Sequence, residues 1–142
     1  LQAAGTQCEA ADRHYEYELR AHKVNFLIEN VGSSSFDRGT LVLDIPNVDG
    51  VEIPSRISPQ PGCPIPRPED YPAVEVSARG VRVQASVVAV PAGAKVAAFR
   101  EPLRMCFRER AAGVTVPIEF TVYGRSLRKP AAGVLRIEIM SN

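Results

Sequence analysis

The sequence predicts an all-β domain, an antiparallel sandwich of about eight to ten strands. Three observations predict it. Apolar and polar residues alternate with a period of two through most of the chain. Turn residues (Gly, Asn, Asp, Pro) interrupt that alternation every several residues. Beyond residue 24 no helical stripe longer than about two turns competes with it.

Residues 1–12 are small and polar and read as a leader; 13–142 read as one sandwich domain. In "HYEYELRAHKVNFLIEN", Tyr15, Tyr17, Leu19 and Ala21 share one parity, and Val24, Phe26 and Ile28 share the other. A one-residue slip exchanges the two faces of a strand, so a bulge or break is expected near His22–Lys23. "TLVLDIP" follows, with Leu41, Leu43 and Ile45 on one face. "NVDG" is a turn whose Gly50 is suited to positive φ, and "VEIP" is a short strand.

Residues 54–72, "PSRISPQPGCPIPRPEDYP", hold seven prolines. Proline removes ladder donors, so this stretch is a stiff surface crossing between sheets and not a central strand. "AVEVS" and "VRVQASVVAV" then give two strands around Arg79–Gly80, and "PAG" turns the chain into "AKVAAF". "LRMCFRE" sets Leu103, Met105 and Phe107 against Arg104, Cys106 and Arg108. "VTVPIEFTVYG" is a long strand and "GVLRIEIM" a terminal one.

With 142 residues the chain is the size of one domain and can bury a real core. Its 17 basic and 16 acidic side chains leave a formal charge of +1, without the basic excess that phosphate contacts require, so nucleic acid is not an expected partner. No apolar run approaches the ~18–20 residues of a membrane-spanning helix, so direct membrane insertion is not expected. The chain starts at Leu1, which suggests a mature or excised piece.

The three cysteines, Cys8, Cys63 and Cys106, lack metal-ligand spacing. One disulfide plus one free thiol is expected, with Cys63 in the "PGCPIP" loop as a participant and the pairing open. A bridge places the domain in an oxidising compartment, periplasmic or extracellular. The alternative for Cys106, a low-pKa thiolate between Arg104 and Arg108, is set against an exposed polar-face or bridged cysteine.

Catalytic chemistry finds little to work with. His14 and His22 are the two histidines, and about 25 Å of strand would separate them, too far to share a metal. An enzyme would need one of them buried beside an acid and a serine. Asp44, Asn47, Asp49 and Glu52 offer oxygen ligands, but an EF-hand frame with Gly50 in its glycine position starts on Ile45 and ends on Arg56. No catalytic residue, metal ligand or cofactor is therefore assigned. Arg125, Arg128 and Lys129 form the densest basic spot, a hairpin loop or a contact for an acidic partner.

The segment 24–46 carries a resemblance. An apolar strand, Asn30, Gly32, serines and a second strand ending in Pro46 resemble the immunoglobulin-like modules of CARDB-type bacterial surface proteins. The same stretch is similar to the leg domains of integrin α chains, which use a comparable turn. The resemblance implies an immunoglobulin-like sandwich in an extracytoplasmic setting, acting as spacer or docking module; it carries no catalytic residue.

The expected role is a non-enzymatic structural or interaction domain of a surface or envelope protein, contacting a protein partner or neighbouring domains of its own chain. Phe36, a large apolar side chain in the polar loop, either folds over the sandwich end or meets that partner, alongside Arg125, Arg128 and Lys129. The alternative is a carbohydrate- or calcium-binding accessory module of a secreted enzyme, using Tyr15, Tyr17, Tyr71 or Tyr123.

Overall fold

The computed structural model describes residues 21–57 and 68–140. Ten strands form there, and every pairing between them is antiparallel. They are β1 (His22–Val24), β2 (Leu27–Glu29), β3 (Gly39–Pro46), β4 (Val51–Glu52) and β5 (Ala73–Ser77), then β6 (Gly80–Val87), β7 (Lys95–Ala97), β8 (Leu103–Phe107), β9 (Thr115–Gly124) and β10 (Ala131–Glu138). The protein is all-β, as its alternation predicts. Gly50 adopts φ +86° in the turn before β4, the geometry for which glycine is suited.

One layer is a five-stranded sheet in the order β10-β9-β3-β6-β5. Its inward residues, among them Leu41, Leu43, Ile45, Val83, Val116 and Ile118, are buried, and alternate residues face solvent. The opposing side is built from β1-β8-β4 and the pair β2-β7, contributing Leu103 and Met105 with half-buried Val24, Phe26 and Ile28. The β3–β9 ladder ends at Asp44↔Glu119. Continuing it two residues would bring Pro46 opposite Pro117, where neither can donate a backbone bond.

The break expected near His22–Lys23 is not there: both residues lie within β1 in one register with β8, and the chain leaves the strand instead at Asn25–Phe26, inside the Val24–Phe26–Ile28 set. β1 pairs with β8 (Val24↔Leu103), whereas β2 pairs with β7 (Leu27↔Ala97). The opposite chain therefore has extra residues to accommodate. Asn25 fills the gap: its Nδ2 donates to the Phe99 carbonyl at 2.8 Å, and its Oδ1 accepts from the Phe99 and Phe26 amides at 3.0 and 2.9 Å. A side-chain amide thus replaces the missing ladder bonds. Tyr15, Tyr17 and Leu19 lie outside the described residues.

Two further differences correct the alternation reading. The strand expected over 81–90 stops at Val87; Val90 leaves the sheet and forms an isolated bridge with Phe36. In β8 both faces are covered, so Arg104 and Cys106 are buried instead of lying on a polar face. The end of the proline-rich crossing contributes to the cover over Arg104. After the 3-10 turn Pro68–Asp70, Tyr71 is buried, its Oη donating to the Pro54 carbonyl at 2.8 Å and accepting from the Arg104 amide at 3.1 Å. The Arg104 guanidinium lies 6.0 Å from the Tyr71 ring centre and 2.7 Å from the Glu101 carboxylate, and donates to the Pro102 carbonyl at 2.6 Å. A buried arginine persists when its charge and donors are satisfied in this way.

Cys106 is buried, and no disulfide joins described residues; Cys8 and Cys63 lie outside them, as do residues 58–67 of the proline-rich crossing.

Candidate functional site

At one end of the sandwich the loop after β2 is organised by Asn30. Its Nδ2 donates to the Ser34 and Val90 carbonyls at 2.8 and 3.0 Å, and its Oδ1 accepts from the Gly32 amide at 3.0 Å. An asparagine followed two residues later by glycine makes this turn because a short amide can bond its own backbone two residues on. Replacing Asn30 with alanine removes all three bonds. The expected loss is about 1–2 kcal/mol in urea unfolding, with faster amide exchange at Gly32 than elsewhere in the domain.

Phe36, at the far side of this loop, is buried. Its amide donates to the Val90 carbonyl at 3.0 Å and its carbonyl accepts from the Val90 amide at 2.8 Å. Its ring lies against Gly39 and Gly124, which are paired across β3 and β9. Two glycines facing each other leave a flat floor that an aromatic ring can occupy. Of the two roles open to Phe36, the structure shows it folded over the end of the sandwich.

The basic hairpin between β9 and β10 sits at the same end. The Asp37 amide donates to Ser126 Oγ at 3.1 Å, which ties the Phe36 loop to this hairpin. Arg125, Arg128 and Lys129 are exposed on it. The Phe36 loop and the basic hairpin therefore share one end of the sandwich, with Phe36 buried and the three cations exposed.

Between them opens an apolar groove of about 660 Å³. Its walls include Phe26 and Leu27 from the β2 side, Leu43 and Phe120 from the inner sheet face, and Leu127 and Leu135 from the hairpin and β10. Glu29, Asn30, the serines 33–35 and Ser126 line its polar margin. Among the described residues the five-stranded sheet ends at β10 and the opposing β2-β7 pair at β2, and the groove lies between these edges. Leu27 and Leu135 stay 73% and 39% exposed across this opening. Alternation in sequence shows that Leu135 belongs to an inward face; it does not show where the facing layer ends.

The outer face of the same sheet is polar. Glu75, Arg82, Asp44 and Glu119 sit directly across successive strands. Arg82 Nε donates to Asp44 at 2.8 Å; this hydrogen bond, with the Asp44 charge, raises the Arg82 pKa further above its ordinary value. The acids once weighed for calcium do not converge. Asp44 pairs with Arg82, Asp49 with Arg110 at 3.0 Å and Glu52 with Arg108 at 3.1 Å, while Asn47 Nδ2 donates to the Ser77 and Ala78 carbonyls. Among the described residues no three metal-binding side chains cluster.

His22 is exposed, its ring 5.2 Å from that of Phe107, and His14 lies outside the described residues. Of the tyrosines considered for a carbohydrate platform, Tyr71 is buried beneath the crossing, Tyr123 is exposed, and Tyr15 and Tyr17 are outside the described residues. Among the described residues no helix is long and apolar enough to cross a membrane. Comparison with protein-family models, with curated proteins and with solved structures finds no match to this chain.

Proposed function

We propose that this domain is a non-enzymatic docking module, of the immunoglobulin-like kind that its 24–46 segment resembles, which binds an extended protein segment along β10. The observation that carries this reading is an apolar groove lying beside the outer strand of a sheet. Strand addition uses main-chain hydrogen bonds for affinity and alternate side chains for specificity. Here an added strand bonds the edge of β10 and turns every second side chain toward the mouth of the groove. The cations at 125, 128 and 129 favour acidic residues at one end of that segment. In a surface or envelope protein the segment belongs to a partner or to a neighbouring domain of the same chain.

The test is selection of a displayed random-peptide library on the isolated domain, followed by competition with Val134→Pro, which removes an edge donor from β10. Peptides alternating apolar and polar residues are expected, with acidic ends, and their binding is lost in the variant. Peptides that bind Val134→Pro equally well place docking elsewhere and refute the reading. Calcium-titration calorimetry and a glycan array examine the accessory-module alternative; sub-millimolar binding there would favour it.

A further inference from the structure

We infer that the strand β10 accepts is β10 of a second copy of this chain, giving a continuous ten-stranded sheet across a two-fold axis. This rests on the reading of β10 as a docking edge and names its occupant. Ile139 directs its amide at the Val114 carbonyl and its carbonyl at the Gly113 amide, at 2.9 and 2.7 Å. In an antiparallel ladder this direction alternates. Ile137, Leu135 and Gly133 therefore also bond inward to β9, and the N–H and C=O groups of Ala132, Val134, Arg136 and Glu138 point out of the sheet. Among the described residues no strand pairs with that edge.

Natural sheets blunt such edges with prolines, bulges or short strands. β10 is eight residues long, contains no proline and keeps one register with β9 throughout. Its large exposed apolar side chains are Val134 at 46% and Leu135 at 39%, with Met140 at 78% just beyond.

Charge selects the occupant and the register. A two-fold axis at Ile137 sets Arg136 of each copy opposite Glu138 of the other, giving two reciprocal ion pairs on the outer face. It also sets Val134 opposite Met140. On the inner face Ile137 meets its own copy and Leu135 meets Ile139, so every directly opposed pair from 134 to 140 is apolar or oppositely charged. Moving the axis to Arg136 opposes two guanidiniums, and moving it to Leu135 opposes Val134 to Arg136. Opposite charges across strands stabilise and like charges destabilise. The other edge of this sheet is a poorer template: β5 has five residues, and an axis at its centre opposes Glu75 to Glu75. Because the axis is perpendicular to the sheet, both grooves open on the same side of the dimer.

The experiment is light scattering of the full chain with R136E and E138R across the micromolar range, each variant checked by circular dichroism for folding. Wild type is expected to dimerise, and each single variant to raise the dimer dissociation constant at least about tenfold. An equimolar mixture of the two variants then recovers a one-to-one dimer, because the carboxylate installed at 136 faces the guanidinium installed at 138. A wild-type monomer throughout, single variants that dimerise like wild type, or a mixture that fails to recover overturns the inference. Val134→Pro separates it from the broader reading: peptide docking that is lost in this variant but unchanged in R136E and E138R leaves a docking edge whose occupant is not a second copy.

Discussion

Glu101→Ala is expected to destabilise the domain by about 2–4 kcal/mol, read as a lower urea midpoint, although Glu101 is itself partly exposed. The reason lies in its partner. The Arg104 side chain is 3% exposed and the Glu101 carboxylate lies 2.7 Å from it. Removing the carboxylate takes an ion-pair partner at 2.7 Å from a buried guanidinium, which costs more than the ion pair contributes in net terms. Arg104→Met should therefore lie within about 1 kcal/mol of wild type, since an apolar chain of similar length fills the same space under Tyr71 without a charge to satisfy. The double variant discriminates. Combined with Arg104→Met, the loss of Glu101 should cost less than about 1 kcal/mol, because the buried charge it pairs with is gone. Equal costs in both backgrounds would show that Glu101 acts through something other than Arg104.

Gly39→Ala is expected to cost about 3 kcal/mol or more and to disturb the groove end of the sandwich. A Cβ at Gly39 overlaps the Tyr123 carbonyl oxygen and comes within 2.8 Å of the Phe36 ring. The oxygen belongs to the backbone of the paired strand, so it cannot move aside like the tip of a flexible side chain; the β3–β9 ladder must open there. Gly124→Ala meets only side-chain and looser backbone contacts, with a Cβ 2.5 Å from Phe36 Cε2 and 3.2 Å from the Arg38 carbonyl oxygen. It should displace the Phe36 ring at lower cost. Thermal unfolding of both variants checks the order; a Gly39→Ala protein as stable as wild type would contradict the paired-glycine floor beneath Phe36.

The position of the groove bears on how the domain meets other molecules. Its apolar lining, the buried Phe36 and the exposed cations come from three chain segments held together by the Phe36–Val90 bridge and the Asp37–Ser126 bond. The outer sheet face, with Asp44 paired to Arg82, is solvated and balanced. Docking along β10, as proposed, would leave that face uncovered.

Local pattern determined a good deal of this protein. Alternation at Leu41, Leu43 and Ile45, and again at Val116 and Ile118, is enough to assign strands and their buried faces, because side chains in a strand must point to opposite sides in turn. Asn30 with Gly32 and Asp49 with Gly50 mark turns for equally local reasons, since amide side chains and glycine act on backbone within a few residues. The tertiary structure decided what depends on contacts distant in sequence. Arg104 alternates like a surface residue, yet it is buried, packed against Tyr71, 33 residues earlier. Asn25 reads as one polar residue in a strand, yet it spans a mismatch with Phe99, 74 residues away. Phe36 stands alone in a polar loop and is seated on two glycines that come together only when β3 and β9 pair. The groove lies between the edges of two layers. A side-chain period reports which way a residue points; what stands opposite it depends on how the chain returns.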